Sequence, residues 1–316
     1  MDGLLFLLVA FLTVLASIML SYYADGLNNQ TKISGLMIGG VILASLTSLP
    51  ELVTALSAIY IGNPSLAIGD ILGSNMFNIV IISFLNLYFF KKLFMNKILK
   101  SYSFTIILLI IVHFVLLIVF YNNGIFGSSF PTVLIFISYV IYLFLISKIK
   151  VTEKEIEYEG SKKNILLKFI LAAILMVFLS ISLTFSANHI AYNHQNFSSS
   201  IIGAFLLGIT TSLPELVTTL TLIRIDSYNL AFSNIIGSNM FNLLILAICG
   251  FFTVGKSLYS FGGIDDILLA RGGLYFSIII LYQVLRRKSI SKITYFIFSI
   301  FIILFYLYIW GLQFLH

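Results

Sequence analysis

"TSLPELVTALSAIYI" (residues 47–61) decides the fold, because "TSLPELVTTLTLIRI" (211–225) repeats it 164 residues later with 11 of 15 positions identical. A second block, "GSNMFN" (73–78), recurs unchanged at 237–242, at the same offset. Two blocks sharing one offset mark a fold written twice. Both copies of the first block also place a proline and a bare carboxylate inside a long apolar run, where a membrane helix ordinarily carries neither.

The surroundings of the blocks are strongly apolar. Of 316 residues 60% are hydrophobic and 9% are charged, against about a quarter charged in soluble domains. The sequence therefore predicts an all-α integral membrane protein. Ten spans are expected, near 3–23, 35–61, 66–90, 101–121, 130–148, 164–187, 199–223, 229–252, 268–285 and 293–314. The runs are continuous, not alternating, which excludes a membrane β-barrel. Asp2 is the only charge before the first run, so the positive n-region of a signal peptide is missing and the run is read as the first span. Cys249 is the single cysteine and has no intrachain partner.

Net charge of +6 follows from topology and does not point to nucleic acid. With the N-terminus outside, 16 of the 18 Lys and Arg residues fall in or beside cytoplasmic loops, leaving only Lys256 and Arg271. That asymmetry obeys the positive-inside rule and orients both termini outward in a multi-pass cell-membrane protein.

The charged segment 149–163 is expected to be a cytoplasmic linker between two five-helix repeats, 1–148 and 164–316. Five is odd, so the second repeat must enter the membrane from the opposite side. Inverted repeats of this kind place a substrate site at their interface near the midplane.

Three acidic residues, Glu51, Asp70 and Glu215, lie within or at the edge of apolar spans. Glu51 and Glu215 are repeat partners, and an intramembrane carboxylate is costly unless it is paired or lines a wet cavity. Pro50 and Pro214 precede them and remove helical donors from the turn before, around Thr47 and Thr211. Freed carbonyls, Ser/Thr hydroxyls and carboxylates together make an all-oxygen nest suited to hard cations such as Ca²⁺ and Na⁺. No Cys lies near the blocks, and His113, His189, His194 and His316 fall outside them, which disfavours soft metals. Ser74 and Asn78 share a helix face, as do Ser238 and Asn242, and each pair can present oxygens to the nest. Gly73 and Gly237 read as helix-packing contacts. Asp70 has the neutral Asn234 as its repeat partner, and reads either as an N-cap of the third span or as an entrance carboxylate.

"TSLPE" followed by "GSNMFN", once in each half, resembles the two alpha-repeats of the sodium/calcium exchangers in the cation/calcium antiporter superfamily. The resemblance implies that Glu51 and Glu215 are the central ligands and that carbonyls of Thr47 and Thr211 bind Ca²⁺. It further implies sodium sites at Ser48, Ser212, Ser74 and Ser238 with the backbone carbonyls of Ala44 and Gly208. The family's polar pair falls at Asn78 and Asn242, although many relatives carry aspartate at the latter position. The implied activity is Na⁺/Ca²⁺ exchange by alternating access, with the first and sixth spans sliding across the remainder and no cofactor. One chain supplies a complete inverted pair, so a monomeric carrier suffices, with Ca²⁺, Na⁺ and the lipid bilayer as its partners. The alternatives are proton-coupled Ca²⁺ antiport and a cation channel. An intramembrane enzyme lacks any HExxH, GxSxG or nucleophile–His pairing beside the glutamates.

Overall fold

The computed structural model describes residues 2–31, 33–89, 102–122, 129–149, 162–192, 208–253, 256–286 and 291–314. All regular structure among them is helical. In chain order the helices are α1 (Asp2–Gln30), α2 (Gly35–Thr47), α3 (Leu49–Tyr60), α4 (Pro64–Tyr88), α5 (Ser103–Tyr121) and α6 (Ser129–Lys148). They are followed by α7 (Lys162–Tyr192), α8 (Gly208–Thr211), α9 (Leu213–Arg224), α10 (Tyr228–Phe252), α11 (Ile264–Leu285) and α12 (Lys292–Phe314).

Eight of these helices are long and apolar enough to cross a membrane, and nine spans are reached if α2 and α3 count as one broken span. The expected span 199–223 is described only from Gly208 onward, and most of the linker 149–163 lies outside the described residues. The first span runs to Gln30, past the expected end at 23, because its polar tail has partners. Ser227 donates to Asp25, and Asn29 Nδ2 reaches Asp25 Oδ2 at 3.3 Å.

α4 and α10, which carry the "GSNMFN" blocks, are the most buried spans and pack against each other at the centre. α2 and α6 pack on α10, whereas α11 and α12 pack on α4. α1 and α7 lie side by side at the periphery. α1 touches α9 of the second half, and α7 touches α3 of the first. Their outer faces expose Leu4, Leu7, Phe11, Leu171, Ile174 and Phe178, an apolar rind suited to the hydrocarbon of a bilayer. The chain is an integral, multi-pass membrane protein.

Each half breaks its second helix in the same way. α2 and α3 meet at Ser48 with a bend of 41°. Ser48 has φ −92° and ψ 9°, and Ser212, between α8 and α9, has φ −83° and ψ 6°. Pro50 and Pro214 cause the break, since neither can donate to the carbonyl four residues earlier, Leu46 or Thr210. α3 and α9 also end alike. Asn63 N–H reaches the Ala58 carbonyl at 2.8 Å and Ser227 N–H reaches that of Leu222 at 2.8 Å, the six-to-one bond of a Schellman cap. The left-handed residue is Gly62 (φ 76°) in one copy and Asp226 (φ 63°) in the other. Glycine takes that conformation freely, and aspartate is among the few side chains that tolerate it.

α2 contains a π-helical stretch, Ile38–Leu43, that begins just before two glycines. A Cβ on Gly39 would meet Leu230 and Ser233, and one on Gly237 would fall inside the backbone of Gly40. The wide turn and the bare glycines let α2 and α10 touch backbone to backbone. Tyr142 OH clamps the turn by donating to the Gly40 carbonyl at 2.6 Å.

Candidate functional site

The two broken helices meet end to end beside the α4–α10 seam, and the two halves trade partners there. Ser48 Oγ donates to Glu215 Oε1 at 2.9 Å, and Ser212 Oγ donates to Glu51 Oε1 at 3.2 Å. Each glutamate is thus held by the serine three residues before the other. The next shell is traded likewise. Thr47 Oγ1 lies 3.4 Å from Ser238 Oγ, and Thr211 Oγ1 lies 3.3 Å from Ser74 Oγ. Exchanging the two halves reproduces the pattern, as a pseudo-two-fold axis through the site requires.

Backbone oxygens join the same network. The Ala44 carbonyl accepts Ser48 N–H at 3.1 Å and Thr47 Oγ1 at 3.4 Å. Its counterpart at Gly208 accepts Ser212 N–H at 3.3 Å and Ser74 Oγ at 3.3 Å. Ten of the twelve residues singled out in the sequence are therefore brought together: Glu51 and Glu215, Thr47 and Thr211, Ser48 and Ser212, Ser74 and Ser238, and the carbonyls of Ala44 and Gly208.

The two asparagines behave differently. Asn78 Nδ2 donates to Asn239 Oδ1 at 2.9 Å, and Asn242 has no hydrogen-bond partner at either amide atom. Both are fully buried. The seam is held by a pair that the sequence reading passed over. Asn75 Nδ2 donates to the Asn239 carbonyl at 3.3 Å, and Asn239 Nδ2 returns the bond to the Asn75 carbonyl at 3.3 Å. The signal was available, because both asparagines sit inside the repeated hexapeptide.

Asp70 requires a correction. The cap of α4 is Asn63, whose side chain accepts from Leu66 N–H at 3.3 Å, with Pro64 opening the helix. Asp70 therefore sits two turns inside α4, fully buried, and its Oδ1 accepts from Thr211 Oγ1 at 3.5 Å. The N-cap reading fails because an asparagine and a proline fix the helix start earlier.

Electrostatically the site is one-sided. Glu51, Glu215 and Asp70 are all fully buried, and Glu51 Oε2, Glu215 Oε2 and Asp70 Oδ2 have no hydrogen-bond partner. No lysine or arginine is paired with them among the described residues. Buried carboxylates in that condition cost several kcal/mol each, about the size that a bound cation can offset. The donors around them are hydroxyls, carbonyls and amides, the oxygen set of hard ions. Among the described residues no three His, Cys, Asp or Glu side chains form a conventional metal cluster. An ion held here would rest mostly on neutral oxygens, as suits cargo that must leave again.

Comparison with known proteins places the chain in a family. The profile of the family described as "Sodium/calcium exchanger protein" matches residues 2–148 and 164–314. The chain belongs to that family. It is similar to the inner membrane protein YrbG of Escherichia coli, with 28% identity over 247 residues covering 74% of each chain. The putative antiporter CaxA of Alkalimonas amylolytica is 28% identical over 239 residues, again 74% of each. Among solved structures, the sodium-calcium exchanger NCX_Mj soaked with 2.5 mM Na⁺ and 10 mM Sr²⁺ shares the fold, with a TM-score of 0.70 and 23% identity over 96% of this chain and 97% of that one. Members of this exchanger family are transporters and not enzymes.

Proposed function

We propose that the protein exchanges Na⁺ for Ca²⁺ across the cell membrane by alternating access, with Glu51 and Glu215 as the shared ligands of both ions. The observation that carries this reading is the traded pairing Ser48–Glu215 and Ser212–Glu51. It builds one cage from both halves, so opening either half dismantles it. The Glu51 and Glu215 carboxylates balance one Ca²⁺, with the carbonyls of Thr47 and Thr211 beside it, and the hydroxyls of Ser48, Ser212, Ser74 and Ser238 with the Ala44 and Gly208 carbonyls serve Na⁺ when the dication leaves. Family membership supports antiport of this kind.

Residues 1–148 and 164–316 act as the two inverted halves, with both termini outside. α1 and α7 form the moving pair. Each rests on a broken helix of the other half, so their displacement alters access to the cage from one side at a time. A single chain suffices as carrier.

The test is ⁴⁵Ca²⁺ flux in proteoliposomes under an outward Na⁺ gradient, with and without a pH gradient. Uptake should follow the Na⁺ gradient and ignore the pH gradient. Uptake driven by protons in the absence of Na⁺, or currents without counter-ion dependence, would overturn the reading.

A further inference from the structure

Exchange of the two halves maps nearly every polar group of the site onto a like group, with one exception that changes charge. Asp70 maps onto Asn234. Both are fully buried, so the second half fills the equivalent place with a neutral amide. The two also engage different neighbours. Asn234 Nδ2 turns to Thr219 Oγ1 of its own half at 3.4 Å. Thr219 maps onto Ala55, which offers no hydroxyl. Asp70 instead faces the other half, where Thr211 Oγ1 lies 3.5 Å from its Oδ1.

Thr211 Oγ1 is in turn 3.3 Å from Ser74 Oγ, and Ser74 Oγ is 3.3 Å from the Gly208 carbonyl. Four oxygens from α4 and α8 thus form a chain, Asp70 Oδ1–Thr211 Oγ1–Ser74 Oγ–Gly208 carbonyl, each within hydrogen-bond distance of the next. One is anionic, and the second carboxylate oxygen, Asp70 Oδ2, is buried without a partner. The mirror cluster of Ser238, Thr47 and the Ala44 carbonyl has no such charge of its own and leans on Glu215, which Ser238 reaches at 3.4 Å. A buried carboxylate with a single weak hydrogen bond and no cationic partner destabilises the fold unless it takes up a proton or a cation.

We propose that Asp70 is a third anionic ligand for the transported cations, adding its charge to the Na⁺ subsite that the exchange reading already builds from Ser74 and the Gly208 carbonyl, and to which Thr211 Oγ1 bridges it. The proposal rests on the exchange reading above. One full charge and three neutral oxygens suit a monovalent ion, whereas a dication gains more from the two glutamates. Asp70 also gives the site a third negative charge, so three monovalent ions can replace one Ca²⁺ without leaving excess positive charge among buried groups.

The experiment is equilibrium ⁴⁵Ca²⁺ binding to the purified full-length protein in detergent, with Na⁺ as competitor. Asp70→Asn, which copies the mirror residue, is expected to weaken Na⁺ competition at least tenfold more than it weakens Ca²⁺ binding. Equal loss for both ions would mean that Asp70 acts only through its long-range field, and unchanged Na⁺ competition would remove it from the site. Either result overturns the proposal while leaving the exchange reading standing. Absence of Na⁺ competition in the unaltered protein would fell both. Asp70→Ser, which keeps an oxygen without the charge, is measured in the same way if Asp70→Asn is not monodisperse. Failure of both variants to fold would assign Asp70 to stability and refute the proposal.

Discussion

Gly237→Ala tests whether the site depends on backbone contact between α2 and α10. An added Cβ would lie 2.7 Å from both Cα and the carbonyl carbon of Gly40, and nearer still to its oxygen. Ordinary contact begins at 3.4 Å, so α2 must retreat by more than about 0.7 Å, the nearer carbonyl oxygen setting the larger demand. No flexible side chain can absorb the move, since every clashing atom is backbone. Overpacking of this kind costs about 1–3 kcal/mol. Functional constellations tolerate displacements of only about 0.5 Å, and the end of α2 carries Ala44 and Thr47, with Ser48 at the junction. Ca²⁺ affinity should therefore fall at least tenfold, together with a lower thermal midpoint in detergent. Gly263→Ala is the control, because nothing lies within 4 Å of a Cβ at that position. Unchanged affinity and melting in Gly237→Ala would refute the close approach and the idea that it sets the register of the site.

Glu51→Gln and Glu215→Gln should each reduce sodium-driven ⁴⁵Ca²⁺ uptake at least 100-fold in proteoliposomes, and retained activity in either would remove that glutamate from the cage. Tyr142→Phe deletes the bond to the Gly40 carbonyl. It should cost about 0.5–1.5 kcal/mol, read as a lower thermal midpoint, while transport persists because the hydroxyl touches no ligand. Asn242→Asp adds a carboxylate where neither amide atom has a partner to lose. The exchange reversal potential should then report more Na⁺ per Ca²⁺, and an unchanged potential would place residue 242 outside the path.

Much of this arrangement is legible in the sequence because the repeat carries it. The common offset identifies equivalent residues, and the Pro–Glu pair locates the break and its charge. Equivalence does not name partners. Glu51 and Glu215 are each bound by the serine of the opposite copy, and that choice depends on how two broken helices meet in space. The Asn75–Asn239 seam escaped a search along one helical face, because Asn75 lies beside the Ser74–Asn78 row and points across to α10. The start of α4 was written in "NPS" (63–65), a cap followed by proline at the first helical position. An acidic residue near the start of an apolar run was a weaker signal, and of its two readings, N-cap or entrance carboxylate, the helix start at Pro64 removes the first. The π-turn of α2 has no periodic signature and follows from packing around Gly39 and Gly40.

The same geometry bears on why exchange should prevail over leak. Without a cation, two carboxylates tied into one ring by Ser48 and Ser212 must coexist in a buried site, with Asp70 close by. Their outer oxygens have no donors to turn to, and no lysine or arginine approaches among the described residues. Moving α1 and α7 across such a site would seal uncompensated charge away from water, at a cost of several kcal/mol per ion. One Ca²⁺ offsets the two glutamates and a set of Na⁺ can offset all three carboxylates, so either load lowers that penalty. The barrier to switching is therefore selective for loaded states by electrostatics alone, without a dedicated gate. On this argument, neutralising a single glutamate should do two opposite things at once, weakening Ca²⁺ binding while lowering the penalty on the empty site. Glu51→Gln vesicles should accordingly lose Ca²⁺ uptake yet show faster conformational switching in the absence of ions, followed by cysteine accessibility on α1. If switching without ions is no faster than in the unaltered protein, charge burial does not set the barrier.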